Sequence, residues 1–237
     1  MNSSSLKGYL TGLILGDGYI DSGIRKRSFR IKSINEEFSE KVYEDIKSVN
    51  TFKLEKKYHP GYTDKYGTTH KPYWETTTKS HPYFAKIYHW FYDDKRKRII
   101  TKEALNALTI EGLANWYMCD GYLTKVGKTK GEIYDRRVEL CTDRYSRKDV
   151  EKIRKYLLEE WGWDTSLIRR KTGKRLFYRV RFKLSSAQDF LYKISPCVPG
   201  SFLYKLDMAY TNKPDWMNEE YFALMKKIQQ RESLSKS

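Results

Sequence analysis

The first strong hydrophobic pattern has no polar face. Leu10, Leu13, Ile14 and Leu15 spread around a helical wheel, which predicts a helix over residues 6–15 that is buried on nearly all sides and stops at Asp17-Gly18. The pattern then alternates. Around residues 28–33, Phe29 and Ile31 share one face of a predicted strand, and Ser28, Arg30 and Lys32 share the other. Helical spacing returns over residues 36–48, with Asn35 placed to cap it. Strand-like segments follow at 52–58 and 73–79, then helical text at 82–92. The order begins again with an apolar helix over 110–118 that stops at Asp120-Gly121. A strand is predicted at 137–142, and a helix over 147–161 capped by Ser146. The stretch "TSLIRRKTGKRLFYRVRFK" is a long hairpin turning at Thr172-Gly173-Lys174. Helices follow at 187–194 and, amphipathic, in "EEYFALMKKIQQRE".

The two aspartates lie 103 residues apart, a repeat of domain size. The expected fold is α+β, with two tandem αββαββα halves covering residues 1–100 and 101–237 and a boundary in the charged stretch 93–103. A chain of 237 residues with 39% hydrophobic and 15% aromatic residues can bury a real core. The longest apolar run falls short of a membrane span. The polar N-terminus reads neither as a secretory signal nor as a myristoylation site, so an intracellular location is expected: cytoplasm, nucleoid or organelle matrix. Cys119, Cys141 and Cys197 are odd in number and form no CxxC pair, which argues against a disulfide framework or zinc site.

A net charge of +16 points to a polyanionic partner, nucleic acid first. In that setting a carboxylate at each buried helix end needs a reason, because it faces the negative end of the helix dipole. Small residues, Gly12 and Gly16 in one helix and Gly112, Ala114 and Cys119 in the other, would let the two helices pack backbone to backbone. Asp17 and Asp120 would then emerge at the same end and repel. A divalent cation removes the conflict, oxygen-only ligands suit Mg²⁺, and such a site next to a basic surface suits phosphodiester hydrolysis.

"LTGLILGDG" and "LANWYMCDG" each resemble the LAGLIDADG motif. The chain is similar over nearly its whole length to LAGLIDADG homing endonucleases of the monomeric, two-motif kind. The resemblance implies halves related by a pseudo-twofold axis, with motif helices at their interface. It also implies antiparallel sheets forming a DNA-binding saddle over the major groove, and metal held by the motif aspartates above the central minor groove. By motif, Asp17 and Asp120 become catalytic metal ligands, with the carbonyls of Gly16 and Cys119 completing the shell. The family places a basic residue late in each half. Lys205 in "YKL" and Lys97 in "KRII" fit, following their aspartates by 85 and 80 residues, although a one-residue gap would exchange Lys97 for Arg98. Mg²⁺ is the implied cofactor, with Mn²⁺ able to substitute. Asn115 stands where the first motif has Gly12, so the helix interface is not symmetric.

Alternation sorts a DNA-facing set: Ser28, Arg30 and Lys32 in the first half, and Arg179, Arg181 and Lys183 in the second. The hairpin tip adds Arg169, Arg170, Lys171, Lys174 and Arg175, and Lys53, Lys57, Arg137 and Glu139 are further candidates. The expected activity is site-specific double-strand cleavage of DNA at a long asymmetric target. The alternatives are an RNA maturase, with intron RNA as a second partner, or a non-cleaving DNA-binding protein of the same fold. A basic structural or ribosome-associated protein would explain the charge but not the paired helix ends. A free-standing or intron-encoded origin is expected over an intein.

Overall fold

A computed structural model describes residues 3–21, 23, 27–129, 132–207 and 219–234. Elements run α1 (Ser3–Leu15), β1 (Tyr19–Ile20), β2 (Phe29–Ser33), α2 (Glu36–Lys47), β3 (Leu54–His59), β4 (Tyr62–Thr63), β5 (Thr69–His70), β6 (Tyr73–Thr78) and α3 (Pro82–Ile87). Then come α4 (Lys102–Asn106), α5 (Ile110–Asp120), β7 (Gly121–Thr129), β8 (Glu132–Leu140), α6 (Arg147–Trp161), β9 (Thr165–Thr172), β10 (Arg175–Phe182), α7 (Leu184–Ile194) and α8 (Glu219–Leu234). This is an α+β fold with one four-stranded antiparallel sheet per half, in the orders β1-β2-β6-β3 and β7-β8-β10-β9. No described helix is long and apolar enough to cross a membrane.

The chain forms two compact units. The first takes residues 1–119 together with 199–201. Its core is built on α1, buried from Gly8 through Gly16. Over its sheet lies α2, which presents Phe38, Val42 and Ile46 at helical spacing. Asn35 caps α2 as expected, its side chain accepting from the Phe38 N–H at 2.8 Å. Phe84 of α3 packs on Phe52, with ring centroids 4.9 Å apart, and beside Phe29 at 6.2 Å. The helix predicted over 82–92 breaks at Ile87 into a short 3₁₀ turn, Tyr88–Trp90.

Helix α5 belongs with this first unit through Cys119, although in sequence order it opens the second half. The reason is backbone contact with α1. A Cβ placed on Gly12 would fall inside the main chain of Gly112, one on Gly112 would strike the Gly8 carbonyl, and one on Gly16 would lie 2.5 Å from the Cys119 Cβ. The i, i+4 glycine stripe therefore does what the sequence predicts, with Gly8 added to it. Asn115 breaks the symmetry by reaching across with its side-chain amide to the Tyr9 carbonyl at 3.4 Å.

The second unit takes residues 120–198 and 202–237. Helix α6, capped by Ser146 and ended by Gly162 in the left-handed region (φ +69°), packs on β9 and β10. Val138, Leu140, Val180, Phe182, Val150, Ile153, Trp163 and Phe190 are buried in its core, where the rings of Trp163, Phe182 and Phe190 pack together. The hairpin turn of β9 and β10 needs Gly173 at φ +58°, its first central position.

Candidate active site and nucleic-acid face

Each motif helix ends in a different way. After α1 the Gly18 N–H donates to the Leu13 carbonyl at 2.8 Å, and Asp17 is exposed. Gly18 is not left-handed. It is glycine because a Cβ would press within 2.8 Å of both the Leu13 carbonyl and the Phe29 ring. In the other half α5 runs through Asp120 and β7 starts on the next residue, so the Asp120 carbonyl accepts from the Cys141 N–H at 2.9 Å. The Asp120 carboxylate is 13% exposed and lies 3.6 Å from the Arg144 guanidinium. Burial pushes the Cys141 thiol upward, against the opposing pull of Arg179.

A basic side chain grips the carbonyl that follows each aspartate. Arg98 donates to Gly18 O at 2.6 Å and also to Ile14 O, and its guanidinium lies over the Tyr92 ring at 5.6 Å. Lys205 donates to Gly121 O at 2.9 Å and lies over Phe202 at 5.1 Å. These are matching positions, so the structural counterpart of Lys205 is Arg98. Lys97 points elsewhere: it is exposed, and its main-chain N–H donates to the Asp93 carboxylate at 2.7 Å.

Strand register defines the faces turned away from the helices. In the first sheet Arg30, Lys32 and Lys57 lie on one face with Glu75 and His59. Glu75 holds Arg30 at 3.8 Å and His59 at 3.3 Å. Burial tends to lower Lys32, but the Tyr73 hydroxyl at 3.5 Å and Glu75 outweigh it, and its net shift is upward. Ser28 is a correction. It is only 8% exposed and precedes β2, where its carbonyl accepts from the Asp21 N–H. Lys53 sits just before β3, exposed.

In the second sheet Arg137, Glu139, Arg175, Arg179, Arg181 and Arg170 share one face. Glu139 is not a free reading group. It is fully buried, taking Arg181 at 2.6 and 2.8 Å and Arg170 at 3.3 and 3.4 Å. Arg179 is gripped by Asp143 through two hydrogen bonds, 2.7 and 2.5 Å, and that pairing pushes it above the ordinary guanidinium value. Phe177 stands on this basic face. Arg169 and Lys171 alternate to the opposite face, while Lys174 occupies the turn; all three are exposed. Lys183 is off the strand altogether. It is the N-cap residue of α7 and pairs with Asp164 at 2.6 Å.

A family model for the LAGLIDADG DNA endonuclease family matches residues 7–190. The chain belongs to that family. Among similar curated proteins is DNA endonuclease I-ChuI of Chlamydomonas applanata, 24% identical over 213 residues, 84% of this chain and 93% of that one. Another is Protein RecA of Mycolicibacterium flavescens, 30% identical over 131 residues; the match covers 53% of this chain and only 30% of that protein. Among solved structures, the homing endonuclease I-WcaI bound to its DNA recognition sequence superposes with a TM-score of 0.71 at 21% identity, covering 88% of each chain. That likeness supports the fold.

Within this LAGLIDADG frame, sequence reading missed Arg144 beside Asp120, Glu75 among the first sheet's basic residues, and the strands that follow the motif helices, β1 and β7. A usable signal was present for β7. Tyr follows Asp-Gly in both halves, and both tyrosines pair with the next strand, Tyr19 with Arg30 and Tyr122 with Glu139.

Proposed function

We propose that this protein is a site-specific, divalent-metal-dependent DNA endonuclease that makes double-strand cuts, with Asp17 and Asp120 as the metal ligands. The observation that carries this reading is the pair of glycine-tight motif helices, each with an Asp-Gly at its C-terminal end whose glycine carbonyl is bound by a cation, Arg98 or Lys205. The donor chemistry fits a hard cation, since carboxylate and main-chain carbonyl oxygens are what the motif ends offer. Among the described residues no three His, Cys, Asp or Glu side chains gather as a metal cage, so remaining ligands would come from main chain, water or phosphate. A cation there would supply Lewis-acid polarisation of the scissile phosphate. Arg98 and Lys205 fix the backbone at each motif end and add positive charge where phosphate negative charge must be stabilised. The basic sheet faces bind duplex DNA, and Mg²⁺ is the expected metal.

The test is cleavage of a DNA target selected by the protein, with Mg²⁺ supplied or removed. Asp17→Asn and Asp120→Asn should each keep sequence-specific binding and lower double-strand cleavage by roughly two to three orders of magnitude or more. Normal cutting by both variants would overturn the assignment. Sequence-specific binding with no cutting by the unaltered protein would make it a binding protein of this fold.

A further inference from the structure

We infer that Glu139 is a specificity-determining positioning residue, which orients Arg170 and Arg181 so that each reads a guanine edge in the major groove of one half-site. The inference rests on the proposed DNA-cleaving function and deepens it. Glu139 lies directly across from Arg181 in the β8–β10 ladder, and its carboxylate is fully removed from solvent. Arg181 meets it side-on, giving Nε and Nη2 to one oxygen at 2.8 and 2.6 Å. That contact leaves the end-on fork, one N–H from each terminal nitrogen, for another partner. Arg170 approaches from β9 with Nη2 alone, 3.3 and 3.4 Å from the two oxygens, and its side chain is 44% exposed.

Charge then decides what these guanidiniums suit. Two cations and one anion leave one net positive charge on the cluster, so its pull on a phosphate is weaker than that of two unpaired arginines. The edge of guanine, with acceptors O6 and N7 and no net charge, depends less on that pull and matches an arginine fork. Preorganisation adds to this, because a guanidinium held by a buried carboxylate loses less freedom on binding. Glu139 itself has no lone pair exposed for cytosine; it acts through its two arginines.

The experiment selects duplexes from a randomised library with the purified full-length chain and with Glu139→Gln, Arg170→Lys and Arg181→Lys. The unaltered protein should enrich a motif with at least two guanines that depend on this cluster. Arg170→Lys should relax one and Arg181→Lys the other, each roughly tenfold or more in preference, with the salt dependence of binding unchanged. Glu139→Gln should relax both. The lysine variants keep the charge and lie toward the surface, so they carry the test even if Glu139→Gln melts early. The inference fails if Glu139→Gln leaves both guanines preferred or alters only a cytosine position. It also fails if the lysine variants weaken selected and scrambled duplexes equally. If the unaltered protein enriches no motif, the proposed function falls and takes this inference with it.

Discussion

In both halves a helix ends on Asp-Gly-Tyr and the tyrosine pairs with the second strand of its sheet, yet Tyr19 lies opposite Arg30 and Tyr122 opposite Glu139. The next strand continues the contrast, with Arg30 facing Thr77 and Glu139 facing Arg181. Arg30 meets its carboxylates, Asp21 and Glu75, loosely at 3.8 Å each. Glu139 is enclosed by guanidiniums at hydrogen-bond distance. The motif ends, by contrast, repeat their chemistry, with Arg98 on Gly18 O matching Lys205 on Gly121 O. Backbone geometry holds the repeated part in place, because a shifted carbonyl or an added Cβ has nowhere to go. Side chains on a sheet's outer face carry no such constraint. The part that would read DNA can therefore diverge while the part that would cut stays paired.

The sharpest way to break the repeated part is at its glycines. Gly12→Ala should destabilise the protein most, by about 3 kcal/mol, because its Cβ meets main chain that cannot rotate away. Gly16→Ala should cost less, since it meets the side chain of Cys119. Urea unfolding of the two variants side by side checks the ranking.

The next test compares the cations. Arg98→Ala leaves the Gly18 and Ile14 carbonyls without their donor and should cost about 1–3 kcal/mol along with most of the cleavage rate. Lys205→Ala should behave in the same way through Gly121, whereas Lys97→Ala should stay within about 0.5 kcal/mol. An inactive Lys97→Ala beside an active Arg98→Ala would reverse the pairing. On the sheets, Arg179→Ala should cost about 1–2 kcal/mol through its two-pronged bond to Asp143, and Arg30→Ala less than about 1 kcal/mol through its looser pairs.

These contrasts mark where sequence reading succeeds. Periodicity located the longer helices, the hairpin turn at Gly173 and the caps Asn35 and Ser146, because each is a local signal; the short helix α4 went unread. It missed β7, whose Gly127 and lysines are poor strand formers; pairing with β8 overrides that weak propensity. Alternation chose the right face for Arg179 and Arg181 but could not foresee that Asp143 and Glu139 already hold them. Nor could spacing separate Lys97 from Arg98, since one residue of loop length decides which side chain returns to the helix end. Long-range partners are not written in local pattern.

The smallest effect separates helices α2 and α6, which hold corresponding places in the two halves. In α6 the cap closes on itself: Ser146 takes the Asp149 N–H at 3.2 Å and donates its hydroxyl to the Asp149 carboxylate at 2.7 Å. In α2 the first turn carries Glu36 and Glu37, and Glu37 reaches out instead, accepting the N–H groups of Ser201 at 2.7 Å and Gly200 at 3.0 Å. That clasp ties residues 200 and 201 to the first unit, to which they belong. The Ser201 main-chain N–H above all, then its side chain, hold the Glu37 carboxyl below its ordinary value of 4.5; burial opposes them, and the Gly200 N–H adds a lesser pull downward. A depressed carboxyl stabilises the fold above that ordinary value and loses the stabilisation as pH falls through its folded-state value. Glu37 is exposed, so the gain is screened to about 0.5 kcal/mol. Glu37→Gln should therefore melt slightly below the unaltered protein at pH 7, and the gap should close as the solution is acidified below 4.5. A gap that is absent at pH 7, or that does not narrow at all on acidification, would mean that the carboxylate charge contributes nothing to holding residues 200 and 201.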